Sequence, residues 1–224
     1  MKSSPTAETV GDYAAEHQTL YRHLISELPN ETRRSWIRFI EETAAYALRR
    51  KPPLKAGSAL PGFEAFLASL PPEHAQQARE AKTIIIAFSF GYRFPFCNLA
   101  FRHLYQEHET LKREKAKVLV LFPPEDSSPE TTTKGFCTLP DPRGKTARMA
   151  GLRFPLPKEF LPLAKRIPWF PADHQTNPTP EITLPGTIIL SPDGRVRFFD
   201  MPVDVTNRLA PSKIIETLSR LKSR

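Results

Sequence analysis

Two cysteines carry the most recruitable chemistry in this chain of 224 residues, and their settings differ. Cys97 closes the run Phe88-Ser-Phe-Gly-Tyr-Arg-Phe-Pro-Phe-Cys97, followed by Asn98. Pro95 suits the first position of a helix, where its missing N–H costs nothing, so Cys97 falls in the first turn. There the free N–H groups and the helix dipole favour a thiolate, which is the nucleophilic form of sulfur. Arg93 and Arg102, close in sequence, are candidate thiolate stabilisers. Phe90, Phe94 and Phe96 act the other way, because apolar burial disfavours charge on sulfur. Cys97 therefore reads either as a nucleophile or as a small buried hydrophobe. Cys137 lies in Gly135-Phe-Cys-Thr-Leu139, an expected short strand. It is a resolving partner for Cys97 if the two Cα atoms approach within about 7 Å, and a structural cysteine otherwise.

No other constellation competes. His103 and His108 do not stack on one helix face and have no carboxylate to complete a metal pattern, so no metal site is expected. His174, in a Pro/Asn loop, reads as solvent-exposed. Ser89, Ser191 and Ser212 lack the G-x-S-x-G context of a serine hydrolase. Gly57-Ser58 and Asp193-Gly194 are turn signals, not phosphate cradles. The formal charge of +8 arises from 32 Lys plus Arg against 24 Asp plus Glu, scattered along the chain. Its dense runs, residues 49–51 and 112–117, read as solvated faces without a nucleic-acid motif. Hydrophobic residues at 40% and charged residues at 25% fit a globular chain. No apolar run approaches the roughly 20 residues of a membrane helix. Residues 1–10 have no apolar core of a secretory signal, so a cytoplasmic location is expected.

The elements that must position Cys97 are separated by proline, 24 residues against 9 glycines. Residues 1–10 are polar and expected to be disordered. Residues 12–48 predict two helices divided at Pro29-Asn-Glu-Thr32, each with an apolar stripe, including Trp36 and Phe39, that must dock on something. Residues 51–62 read as a connector. Thr83–Ser89 and Lys117–Phe122 are continuous apolar runs, as in strands buried on both faces, and residues 95–115 between them are helical. This is a β-α-β unit with parallel strands. Gly186–Leu190 and Arg195–Phe199 flank Ser191-Pro-Asp-Gly194 as a hairpin, and residues 211–221 close with a helix. That order is the order of an α/β, thioredoxin-like fold, with a mixed sheet flanked by helices.

The run around Cys97 resembles the peroxiredoxin-like proteins of the alkyl hydroperoxide reductase/thiol-specific antioxidant (AhpC/TSA) family, which carry F-Y-R-G, then W-C-P-Y-C-N, then a long helix. Lys55-Ala-Gly-Ser-Ala-Leu-Pro-Gly-Phe63 is similar to the family's K-x-G-x-x-x-P-x-F entry segment. Residues 139–152, LPDPRGKTARMAGL, resemble L-S-D-P-x-x-x-x-A-R-x-x-G-L. Residues 184–197, LPGTIILSPDGRVR, continued by Val205-Thr-Asn-Arg-Leu-Ala-Pro211, resemble the family's last strands and closing segment. The likeness covers residues 55–221, which implies residues 1–54 as a helical extension and 55–224 as the thioredoxin-like domain.

Within the likeness the departures are specific. Phe94 occupies the position of the first cysteine in W-C-P-Y-C, and Arg93 that of the tryptophan. Against the broader pattern P-x-x-x-T-x-x-C, Cys97 matches the cysteine, while Phe90 and Phe94 replace the proline and the peroxide-contacting threonine. The arginine of the later strand falls at Pro185, which instead resembles the cis-proline that faces the active cysteine in thioredoxins. The resemblance implies an antioxidant thiol oxidoreductase acting on hydroperoxides or on thiol/disulfide substrates. Cys97 would be its sole nucleophile, recycled by an external thiol, with Arg93 and Arg102 as stabilisers. Phe94, Phe96 and Pro185 would shape the pocket, and no cofactor is implied. The competing reading is a catalytically degenerate module for protein binding or redox sensing, with the sheet edge or the helical pair as an interface, in a homodimer.

Overall fold

A computed structural model describes residues 12–49, 54–91, 93–123, 136–170 and 180–222. The expected disorder of residues 1–10, the tract at 51–53 and His174 lie outside the described residues. Two helices, α1 (Tyr13–Ser26) and α2 (Asn30–Arg49), come first. Then follow α3 (Phe63–Ser69), α4 (Pro72–Glu80), β1 (Thr83–Phe88), α5 (Pro95–Gln106), α6 (His108–Arg113) and β2 (Ala116–Phe122). The chain continues through β3 (Cys137–Pro140), α7 (Lys145–Met149), β4 (Arg153–Pro155), α8 (Leu163–Arg166) and β5 (Glu181–Thr183). It ends with β6 (Gly186–Leu190), β7 (Val196–Asp200) and α9 (Pro211–Lys222).

The central sheet has the order β3-β2-β1-β6-β7. Strands β1, β2 and β3 run parallel, as the β-α-β pattern predicts, and β6 pairs antiparallel with both β1 and β7. Every buried strand alternates between two cores, because successive side chains leave a strand on opposite faces. Ile85, Ala87, Val118, Val120 and Ile189 face one core together with α2, α5 and α9. Ile84, Ile86, Leu119, Leu121, Cys137 and Ile188 face the other, under α3 and α4. The hairpin turn needs its glycine: Gly194 has φ +77°, and a Cβ there would lie 2.3 Å from the Phe63 ring.

Three details differ from the sequence pattern. The helix expected over 95–115 is two helices that meet at Glu107, where ψ rises to 7°. Short helices α3 and α4 lie where prolines suggest only breaks; Pro72 opens α4 at its first position instead of ending a helix. The connector also pairs with the sheet, since Gly57 N–H donates to the Val196 carbonyl at 2.7 Å and Val196 N–H to Ser58 at 2.8 Å. Among the described residues no helix is long and apolar enough to cross a membrane.

The N-terminal helices dock on the face that holds Cys97. Helix α2 buries Trp36 and Phe39 completely, among Phe90, Phe94, Phe154 and Phe170. Burying two such side chains contributes several kcal/mol, roughly 1.5–3 each, to holding α2 in place. Helix α1 has no fully buried residue and rides on α5 through polar and aromatic edges.

Candidate active site

The site is built where β1 ends. After Phe88 the chain keeps its register for one more residue, Ser89 N–H donating to Leu121 at 2.8 Å, and then turns. Gly91 N–H is held by the Ser89 hydroxyl at 3.1 Å, and Phe94 N–H by the Gly91 carbonyl at 3.1 Å. Phe94 is the N-cap of α5, with extended backbone and no polar side chain to offer the helix. Pro95 takes the first helical position, so Cys97 stands in the first turn as the sequence predicts.

Cys97 is fully buried, and two donors reach its sulfur. The Phe90 backbone N–H lies 3.3 Å from Sγ, and Arg208 Nη2 lies 2.8 Å from it. Arg208 comes from the segment between β7 and α9. Asp204 folds that segment, accepting from the Thr206 N–H and hydroxyl at 2.8 Å each. The guanidinium also donates to the Val205 carbonyl at 2.7 Å and to the Asn207 carbonyl, and it rests over the Phe94 ring at 5.3 Å. Among the described residues no carboxylate accepts its N–H groups. Asp200 feels its charge without bonding to it: burial pushes the Asp200 carboxyl up, and Arg208 draws it back down.

An aromatic roof closes the site. Phe90 and Phe94 meet edge-on at 4.6 Å, Phe96 lies 5.3 Å from Phe94, and Trp169 lies 5.8 Å from Phe94. Trp36 joins from α2, edge-on to Trp169 at 4.9 Å. From α1, His17 packs against Phe96 at 5.0 Å while its Nε2 sits 3.0 Å from the Thr206 carbonyl. Tyr13 stands edge-on to His103 at 5.4 Å. Burial pushes the Tyr13 phenol up to about 12, against the pull of the Arg208 charge.

The candidates from the sequence distribute as follows. Phe94 and Phe96 line the thiol's surroundings. Arg93 is exposed in the turn before α5. Arg102 lies on the outer side of α5, ion-paired with Glu16 of α1. Pro185 is buried between β5 and β6, and its peptide bond is trans, which corrects the expectation of a cis bond there. Cys137 is buried on the opposite face of the sheet, paired in register with Leu119, so the sheet itself separates the two thiols. Burial pushes the Cys137 thiol up to about 11, and Lys117 opposes the shift. Sequence reasoning missed Arg208 and Tyr13. Arg208 sits 111 residues from Cys97 and inside a matched segment, yet a single loop arginine carries no periodic signal. Tyr13 lies in the extension that the resemblance does not reach.

No protein-family model matches this chain, and no characterised protein matches it in sequence. Solved structures do match in shape. Peroxiredoxin 6 of Arenicola marina superposes with a TM-score of 0.52 at 14% identity, over 75% of this chain and 74% of its own. Peroxiredoxin Q of Xanthomonas campestris gives 0.50 at 16% identity, over 75% of this chain and 99% of its own. The mixed five-stranded sheet with helices on both faces is thus a thioredoxin-like α/β fold, the fold that these two solved structures share.

Proposed function

We propose that the protein is a thiol peroxidase of the AhpC/TSA type, with Cys97 as its single nucleophile. One observation carries the reading: an arginine with no carboxylate acceptor among the described residues donates to the Cys97 sulfur at 2.8 Å, inside an apolar shell where such a bond is strong. A second donor, the Phe90 N–H, comes from the backbone and needs no reorganisation. The reaction loses the thiol proton to solvent. The thiolate then attacks the terminal oxygen of ROOH, the O–O bond breaks as S–O forms, and RO⁻ takes up a proton and leaves as ROH. Cys97 is left as a sulfenic acid. An external thiol then condenses with it, releasing water and forming a mixed disulfide, and a second thiol restores Cys97. A reductant from outside is required because Cys137 lies across the sheet.

The fully buried sulfur supports the competing reading, a redox-sensing or partner-binding module whose thiol no longer meets substrate. Intact mass separates the two, on wild type, Cys97→Ser and Cys137→Ser after stoichiometric hydrogen peroxide with a sulfenate trap. The peroxidase reading expects trapping within seconds in wild type and Cys137→Ser, and none in Cys97→Ser. A wild type unmodified over minutes excludes it.

A further inference from the structure

The two N-terminal helices are held by different means. Helix α2 buries Trp36, Phe39 and Ala47, whereas α1 buries no residue and leaves Leu20, Leu24 and Ile25 only partly covered. A groove of about 950 Å³ runs between α1 and α5, walled by Ala15, Thr19 and Leu20 on one side and Pro95, Leu99 and Tyr105 on the other. The ties that hold α1 are polar. Glu16 pairs with Arg102, and its second oxygen lies 3.2 Å from Nε2 of the buried His103. His17 Nε2 lies 3.0 Å from the Thr206 carbonyl. Docking also buries the Tyr13 hydroxyl with no hydrogen-bond partner among the described residues, a penalty that contact with water would remove.

Helix α1 nonetheless lies across both walls of the thiol site. His17 and Tyr21 pack on the Phe96 ring at 5.0 and 6.3 Å, one residue from Cys97 in the first turn of α5. The Thr206 carbonyl that His17 meets belongs to the turn that delivers Arg208 to the sulfur. The link between α1 and α2 is short and fastened to α2. Leu28 within it is buried, and Arg33 donates to the Ser26 and Leu28 carbonyls at 3.4 and 3.2 Å. We infer that α1 is a hinged lid on Cys97, turning about residues 27–29 while α2 stays docked, and that reactants reach the sulfur when it lifts. Cys97 has no exposed surface, so every reagent needs an opening. The opening that costs least parts the surfaces that bury the least apolar area. The inference stands apart from the peroxidase reading, because a peroxide and an alkylating reagent meet the same cover.

Gln18 is exposed in the middle of α1, so Gln18→Pro breaks that helix without removing a packed side chain. Glu16→Gln is the milder variant and removes only the charge that ties α1 to α5. The test reads two quantities at one pH: hydrogen exchange of the α1 amides, and iodoacetamide alkylation of Cys97 beside that of Cys137. In wild type the α1 amides exchange faster than those of α2 and β1. Gln18→Pro raises α1 exchange and Cys97 alkylation by about 100-fold. Glu16→Gln raises both by about threefold, and Cys137 is unchanged in either variant. A change in thiol acidity alone would not move amide exchange, so the joint rise reads the lid. Faster α1 exchange with Cys97 still at the wild-type rate overturns the inference, because α1 would then not cover the sulfur. Equal acceleration of both cysteines also overturns it, since that is global opening. Wild-type α1 amides as slow as those of β1 would rule out the hinge. Peroxide is absent throughout, so a failed peroxidase reading leaves this result intact.

Discussion

The two faces of one sheet present the same residue type in opposite conditions. Cys97 and Cys137 are both buried thiols of the same domain, one in each core. Aromatic rings, a backbone N–H and an arginine surround Cys97. Around Cys137 stand Leu119, Leu121 and the helices α3 and α4, and among the described residues no hydrogen bond reaches its sulfur. Burial is therefore not what distinguishes the two cysteines; the donors aimed at sulfur do. Burial holds the Cys137 thiol up with only the Lys117 charge opposing it, whereas the Cys97 sulfur has a cation and an amide at bonding distance.

The largest expected effect comes from opening the roof on one face only. Trp36 is fully buried against Phe39, Phe94, Trp169 and Phe170, so Trp36→Ala leaves a large cavity. Its cost is about 3–5 kcal/mol, read by urea unfolding. At the same time the variant, under conditions where it remains folded, exposes Cys97 to iodoacetamide and leaves Cys137 as slow as before. Equal acceleration of both thiols would mean global opening and would erase the distinction between the faces. A smaller effect follows from Arg208→Gln, which retains hydrogen-bonding capacity and removes the charge. A hydrogen bond to a charged group is worth about 1.5–3 kcal/mol, so Cys97 oxidation falls about 10- to 100-fold. Cys137 alkylation is untouched. Oxidation at the wild-type rate would leave the Phe90 amide as the donor that matters and would weaken the contrast between the two cysteines.

How much of this arrangement could be read in the sequence depends on distance along the chain. The parallel pair β1–β2, the hairpin β6–β7 and the closing helix were legible because β-branched runs, a Pro-Asp-Gly turn and a helical stripe are local signals. The placement of Cys97 in a first helical turn was legible through Pro95 for the same reason. Helices α3 and α4 were not, since a Pro-Pro pair reads as a break and only the fold decides that Pro72 begins a helix. Nearness in sequence points to Arg93 and Arg102 as the cation at the thiol. A five-residue offset along a helix instead turns Arg102 outward to Glu16, while a loop from the far end of the chain delivers Arg208. Side-chain partners fixed by tertiary contact leave no periodicity to find.

The smallest effect lies on the other face and is a matter of alkaline pH. The folded state holds the Cys137 proton to about 11, whereas the unfolded thiol releases it near its ordinary value of 9.0. Stability from this group is therefore complete below about pH 9 and declines as pH rises toward 11, by at most about 1.4 kcal/mol per pH unit. Cys137→Ala has no such proton, so its deficit against wild type in urea unfolding should narrow between pH 8 and pH 10. Tyr13 contributes in the same direction in both proteins, but only from about pH 10 to 12, so it cancels in the difference. Parallel curves would show that Lys117 and solvent already stabilise a thiolate at Cys137 in the folded protein. In that case the second face, too, would hold a charge-tolerant cysteine, and the contrast between the two thiols would rest on the two donors at Cys97, Arg208 and the Phe90 amide.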